Sequence, residues 1–194
     1  MENTKYGALM AAAVLSTTAA LAQNVQISQD GRPERIFRPV NGLDNADITF
    51  LKNAAAANIF EISSARLAAQ KSQDPFVLEF AKEMIADHMS SLEEVKQIAD
   101  KKGVSLPQNL PWSLQHAMDH LMNQSGATFD AAYENAQRYG HEDASRLFKS
   151  EIENGRDEDV KAYAVKTLPT VTMHYKMMLT HTTEMGPTQM KGGG

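Results

Sequence analysis

The chain of 194 residues sets 19 Lys and Arg against 24 Asp and Glu, a formal net charge of −5, and contains no cysteine. A mildly acidic chain with no dense basic cluster is a poor partner for nucleic acid, and the lack of cysteine removes disulfide frameworks, thiolate metal sites and thiol catalysis. With 42% hydrophobic and 22% charged residues it can bury a core and stay soluble, and its length suits one folded domain.

Lys5 is followed by an apolar run from Tyr6 to Leu21 that closes on Ala20-Leu21-Ala22 before Gln23. That is the pattern of a secretory signal (residues 1–22) with a small-x-small cleavage site after Ala22. The run is shorter than the ~20 residues a bilayer span needs, and Ser16, Thr17 and Thr18 interrupt it. No cysteine follows that would take a lipid, so the expectation is a cleaved, exported chain without a transmembrane helix, periplasmic in a Gram-negative source. Residues 23–42, with Pro33, Pro39 and the separated Arg32, Arg35 and Arg38, lack sustained periodicity and read as an extended arm.

The first helix is expected from about Asp44 to Ser72, with Asp44 and Asp47 as caps and a filling of Ala and Leu. The second starts at Asp74-Pro75, a cap followed by proline at the first helical position, and ends at Gly103. Val77, Ala81, Met84, Leu92, Val95 and Ala99 recur along it at helical spacing. A connector from Gly103 to Gly126 holds Pro107, Pro111 and a short helical stretch near Leu114 to Met122. A third helix spans about Ala127 to Glu153 and stops at Asn154-Gly155. A fourth runs from near Asp157 to Met185, and Pro169, which lacks a donor for the carbonyl four residues earlier, is expected to bend or restart it. The tail, 187–194, has nothing to pack with and reads as disordered.

Four long helices with apolar stripes bury them in an all-α four-helix bundle over 43–186. A helix of that length spans about 40 Å, which the connector can cover, so the second and third helices can run parallel, as in the ferritin-like connectivity with its long crossover.

Polar groups interrupt the apolar stripes. At 100° per residue Glu61 shares a face with Phe50, Ala54, Ala57, Ala65 and Ala68, and His88 lies at the centre of the second helix's stripe. His174 aligns with Val160, Tyr163 and Met178, and His141 aligns with Phe148 and Ile152 but also with Glu134, Gln137 and Ser145. Each of Glu61, His88, His141 and His174 falls within about one turn, ~5 Å, of the middle of its helix, so the four can meet. Imidazoles with a carboxylate suit a single zinc, iron, manganese or copper ion; without an ion the same groups would form a hydrogen-bonded network that fixes helix register.

The same residues carry a resemblance. Phe50-Leu51 with the following alanines and Glu61, Phe80-Ala81-Lys82-Glu83-Met84 running into Asp87-His88, Gly126 with Phe129-Asp130 and Tyr133, then His141 and Leu168-Pro169 with His174 resemble the bacterial family named domain of unknown function 4142. The resemblance implies an exported ferritin-like bundle and no settled biochemistry. Di-iron bundles use a Glu-x-x-His motif on each of two helices, whereas here Ile85 precedes His88 and Val171 precedes His174 by three residues, which favours a one-ion site.

Two other groupings compete. His116 and His120 stand four apart without the glutamate of a zinc-protease motif and read as surface residues. Met173, His174, Met177, Met178, His181, Met185 and Met190 are a Met/His enrichment suited to copper, or simply core fillers. No phosphate loop, serine elbow or paired-acid motif points to an enzyme. The readings left by the sequence are a metal-binding bundle, a non-catalytic envelope stress or interaction protein with a structural polar network, and copper binding by the last helix. Association with the envelope or with a second copy of the chain stays open, with no apolar row assigned to either.

Overall fold

The computed structural model describes residues 25–27, 33–35 and 43–189, with side chains from Leu43 to His181. The expected signal segment 1–22, most of the expected arm and residues 190–194 lie outside the described residues. Where an extended arm was expected, β1 (Val25–Ile27) and β2 (Pro33–Arg35) pair as an antiparallel ribbon with Gln26 opposite Glu34. Pro33 sits at the first position of its strand, where its missing donor is tolerated. This ribbon is a unit separate from the helical body.

The helical body contains α1 (Asn45–Lys71), α2 (Pro75–Lys102), α3 (Trp112–Met122), α4 (Gly126–Asn154) and α5 (Glu158–Gln189). Asp44 caps α1 in a reciprocal box with Asp47. Asp74 accepts from the amides of Phe76 and Val77 at the start of α2, and Gly103, at φ 69°, ends that helix in the left-handed conformation. Gly155 ends α4 differently from expectation: its φ is −60°, and its lack of a side chain matters because a Cβ there would lie 2.1 Å from Glu151 Oε1 and 2.6 Å from the Glu151 carbonyl oxygen.

Cross-helix bonds fix the directions. Asp47, at the start of α1, accepts from the amides of Arg156 and Asp157 after α4, and Lys71, at the end of α1, donates to the carbonyls of Met122 and Gln124 before α4. Helices α1 and α4 are therefore antiparallel. Lys102 and Lys101, ending α2, pair with Asp157 and Asp159 at the start of α5, which makes α2 and α5 antiparallel as well. Since α1 and α2 form one hairpin and α4 and α5 another, α2 and α4 run parallel and the segment holding α3 returns the chain to the far end. This is the ferritin-like crossover.

Pro169 does not interrupt the last helix, for α5 is continuous from Glu158 to Gln189, past the expected end at Met185 and into the segment expected to be tail. The carbonyl it leaves without an amide partner belongs to Val165, which is exposed to water, while buried Tyr163 and Ala164 before it and Val171, His174 and Met178 after it hold both halves in the core. Among the described residues, no helix is long and apolar enough to cross a membrane.

The core has two apolar clusters. One gathers Phe50, Leu51, Val95, Ala99, Phe148, Val160 and Tyr163 at the end where α1 begins. The other gathers Phe60, Val77, Phe80, Met84, Leu121, Phe129, Tyr133 and Met178 at the opposite end. A belt of polar side chains lies between them.

Candidate metal centre

The belt takes at least one residue from each long helix: Asn58 and Glu61 from α1, His88 and Ser91 from α2, Gln137 and His141 from α4, and His174 from α5. Three of the four residues singled out from the sequence meet. One nitrogen each of His88, His141 and His174 lies within 4.8 Å of the others, and the ring centroids are 5.2 to 5.8 Å apart. Phe80 closes one side, edge-on to His141 at 6.5 Å and to His174 at 6.1 Å.

Each imidazole is oriented through one nitrogen. His88 Nδ1 donates to Asn58 Oδ1 at 2.7 Å, His141 Nδ1 to the carbonyl of Gln137 at 2.9 Å, and His174 Nε2 to Asp87 Oδ2 at 3.1 Å. Asn58 is held in turn by donating to Ser91 Oγ, which meets the Tyr163 hydroxyl at 2.6 Å. The remaining nitrogens, His88 Nε2, His141 Nε2 and His174 Nδ1, are buried without a hydrogen-bond partner among the described residues. Burial, reinforced by the neighbouring rings of His141 and His174, holds His88 well below the usual imidazole range. Burial pushes His141 down to about 4, and it lowers His174 against the opposing pull of Asp87. At neutral pH all three rings are therefore uncharged, and each unpartnered nitrogen presents a lone pair.

Glu61 does not join the trio. Its carboxyl accepts from Gln137 Nε2 at 2.6 Å, and Gln137 also donates to Ser64 Oγ. Full burial raises Glu61 to about 8, with the Gln137 hydrogen bond opposing, so it is a neutral acid at pH 7. Gly140 makes room for it, because a Cβ there would stand 3.3 Å from Glu61 Oε1. An unpaired buried charge is costly, and Glu61 avoids that cost by keeping its proton rather than by reaching the imidazoles.

The other groupings disperse. His116 and His120 are exposed on α3, with His116 against Trp112. Along α5, His174 enters the trio, Met178 enters the core, Met173 faces water, and His181 stacks on Phe76 at 3.6 Å and faces Glu134. The Met185 side chain and Met190 lie outside the description. An apolar groove of about 990 Å3 along α5, lined by Leu168, Pro169, Met173 and Met177 among others, contains none of the trio. Three supporting residues had escaped the sequence reading. Asn58 and Asp87 look like ordinary helix-surface polars, although Asp87 adjoins His88, and Gln137, one turn before His141 on the same face, carried no assigned role.

Fold and belt together define a class: an all-α bundle of ferritin-like connectivity with a buried histidine centre at mid-height. The family model described as Domain of unknown function (DUF4142) matches residues 37–180, and the chain belongs to that family. No functionally curated protein matches the sequence. Two solved structures share the fold. One is a DUF305 fragment from Deinococcus radiodurans, at 13% identity and a TM-score of 0.61, covering 71% of this chain and 95% of that one. The other is CopM in the Cu(I)-bound form, at 16% identity and a TM-score of 0.61, covering 72% and 97% respectively.

Proposed function

We propose that this protein is an exported metal-binding bundle that holds one transition-metal ion between His88 Nε2, His141 Nε2 and His174 Nδ1. The observation that carries it is the division of labour within each ring: one nitrogen is tied to an acceptor and the other is buried with nothing to accept from. Neutral imidazoles whose far nitrogens are fixed by a carbonyl, an amide or a carboxylate are the usual arrangement around a bound ion. A ligand nitrogen sits about 2.1 Å from zinc, which puts two such nitrogens about 3.4 Å apart, so ring movements of about 1 Å close the trio. Glu61, kept neutral by its own partners, is a neighbour of the site rather than a ligand.

The donor set suits zinc or copper better than manganese, because it offers nitrogen and no oxygen. The Cu(I)-bound state of CopM makes copper the first ion to try. The test is elemental analysis of untagged protein after loading with Cu(I) or Zn(II) and desalting. One equivalent is expected in the wild type and less than 0.1 in H88A, H141A and H174A, by order of magnitude from loss of one of three ligands. Folded wild-type protein that retains no metal would end this reading and leave the belt as a structural network. Export is tested separately by the mature amino terminus, expected at Gln23.

A further inference from the structure

An ion bound by the trio must reach it, and the supports of the three rings differ in one respect. Asn58 is 4% exposed and Gln137 is fully buried, but the Asp87 side chain, which holds His174, is 41% exposed. Asp87 also belongs to a second grouping. One carboxylate oxygen each of Glu83 and Asp87, one turn apart on α2, and a nitrogen of buried His174 lie within 4.8 Å of one another. The imidazole of His174 therefore stands between two sets of donors, an outer pair of carboxylates reached from water and an inner pair of imidazoles, on half-buried His88 and buried His141, whose unpartnered nitrogens are buried.

We infer that Glu83, Asp87 and His174 form an outer cation site that loads the inner trio, an inference that rests on the reading of the trio as a metal centre. A neutral imidazole has one lone pair. With the ion outside, His174 ligates through Nε2 and its proton sits on Nδ1. With the ion inside, Nδ1 ligates and Nε2–H donates to Asp87, the bond present in the structure. The two occupancies through His174 are alternatives, and the proton that leaves one ring nitrogen is matched by the one that returns to the other. The outer donors, two carboxylates and an imidazole, suit a hydrated divalent ion, which exchanges water for ligands stepwise as it moves inward.

Glu83→Gln separates this role from plain attraction. If Glu83 merely stabilised an ion held by the trio, its loss would speed release. Removal of a waypoint slows uptake and release together. With Zn(II) as the probe and a chromophoric chelator as competitor, E83Q is expected to slow both rates by about tenfold relative to wild type. E79Q, which removes a like charge one turn away on the exposed pair with Lys82, is expected to change neither. Faster release, or unchanged uptake, in E83Q overturns the inference.

A second measurement stands without the trio. H141A is expected to bind one weak equivalent of Mn(II), seen by loss of the free-ion electron paramagnetic resonance signal, and E83Q/H141A is expected to lose it. Mn(II) held by H141A alongside wild type that retains no Zn(II) or Cu(I) would keep the outer site and end the trio reading. No Mn(II) held by folded H141A would overturn the outer site.

Discussion

Glu61→Gln isolates a single proton. In the unfolded chain this carboxyl ionises near 4.5, and in the folded protein near 8. Between those values the unfolded state has lost a proton that the native state still binds, so stability falls as pH rises, by about 1.4 kcal/mol per pH unit. The loss is absent below 4.5, reaches about 3 kcal/mol at pH 7, and levels near 5 kcal/mol above pH 8. Glutamine is neutral throughout and can still accept from Gln137. Urea unfolding of chelator-treated wild type and E61Q between pH 4 and 8.5 should therefore give curves that nearly coincide at the acid end and separate toward alkaline pH, with E61Q the more stable by about 3 kcal/mol at pH 7. The three histidines titrate identically in both proteins and cancel in the difference. A pH-independent gap between the curves would refute the reasoning, because it would mean that Glu61 is ionised in the native state or exposed to water.

Asn58→Ala should weaken metal retention by about 10- to 100-fold in competition titrations, since His88 loses the acceptor that fixes its tautomer. Gly155→Ala should destabilise by about 1–3 kcal/mol in urea unfolding, because the new methyl meets a backbone carbonyl that cannot rotate away. Pro169→Ala should stabilise by up to about 3 kcal/mol in the same assay, by returning an amide donor to the Val165 carbonyl in a helix that is already continuous.

The helices were legible because capping and periodicity are local. Asp44, Asp74 and Gly103 stand where the chain turns, and the stripe from Val77 to Ala99 is the buried face of α2. Axial height, counted from those ends, was enough to bring His88, His141 and His174 to one level. The local signals failed where a partner on another helix decides the outcome. Nothing in the α1 stripe tells that Glu61 will be claimed by Gln137, because the face that Gln137 shares with His141 on α4 does not say which residue of another helix it meets. Nor does a lone proline reveal whether the residue bearing its unbonded carbonyl is exposed, as Val165 is. The ribbon at Val25–Ile27 was missed because three residues are too few to show an alternating pattern.

Hydrophobic contacts have no direction, and two stacks of alanine, leucine and phenylalanine can slide by a turn at little cost. The belt forbids it. Asn58 with His88 locks α1 against α2, Glu61 with Gln137 locks α1 against α4, and Ser91 with Tyr163 and Asp87 with His174 lock α2 against α5. A slip of one residue along any of these seams strands a buried donor or acceptor in a dry interior. The midline acts as a vernier: a version rebuilt wholly from aliphatic side chains could gain melting temperature while losing the alignment that makes any ion pocket reproducible from one molecule to the next.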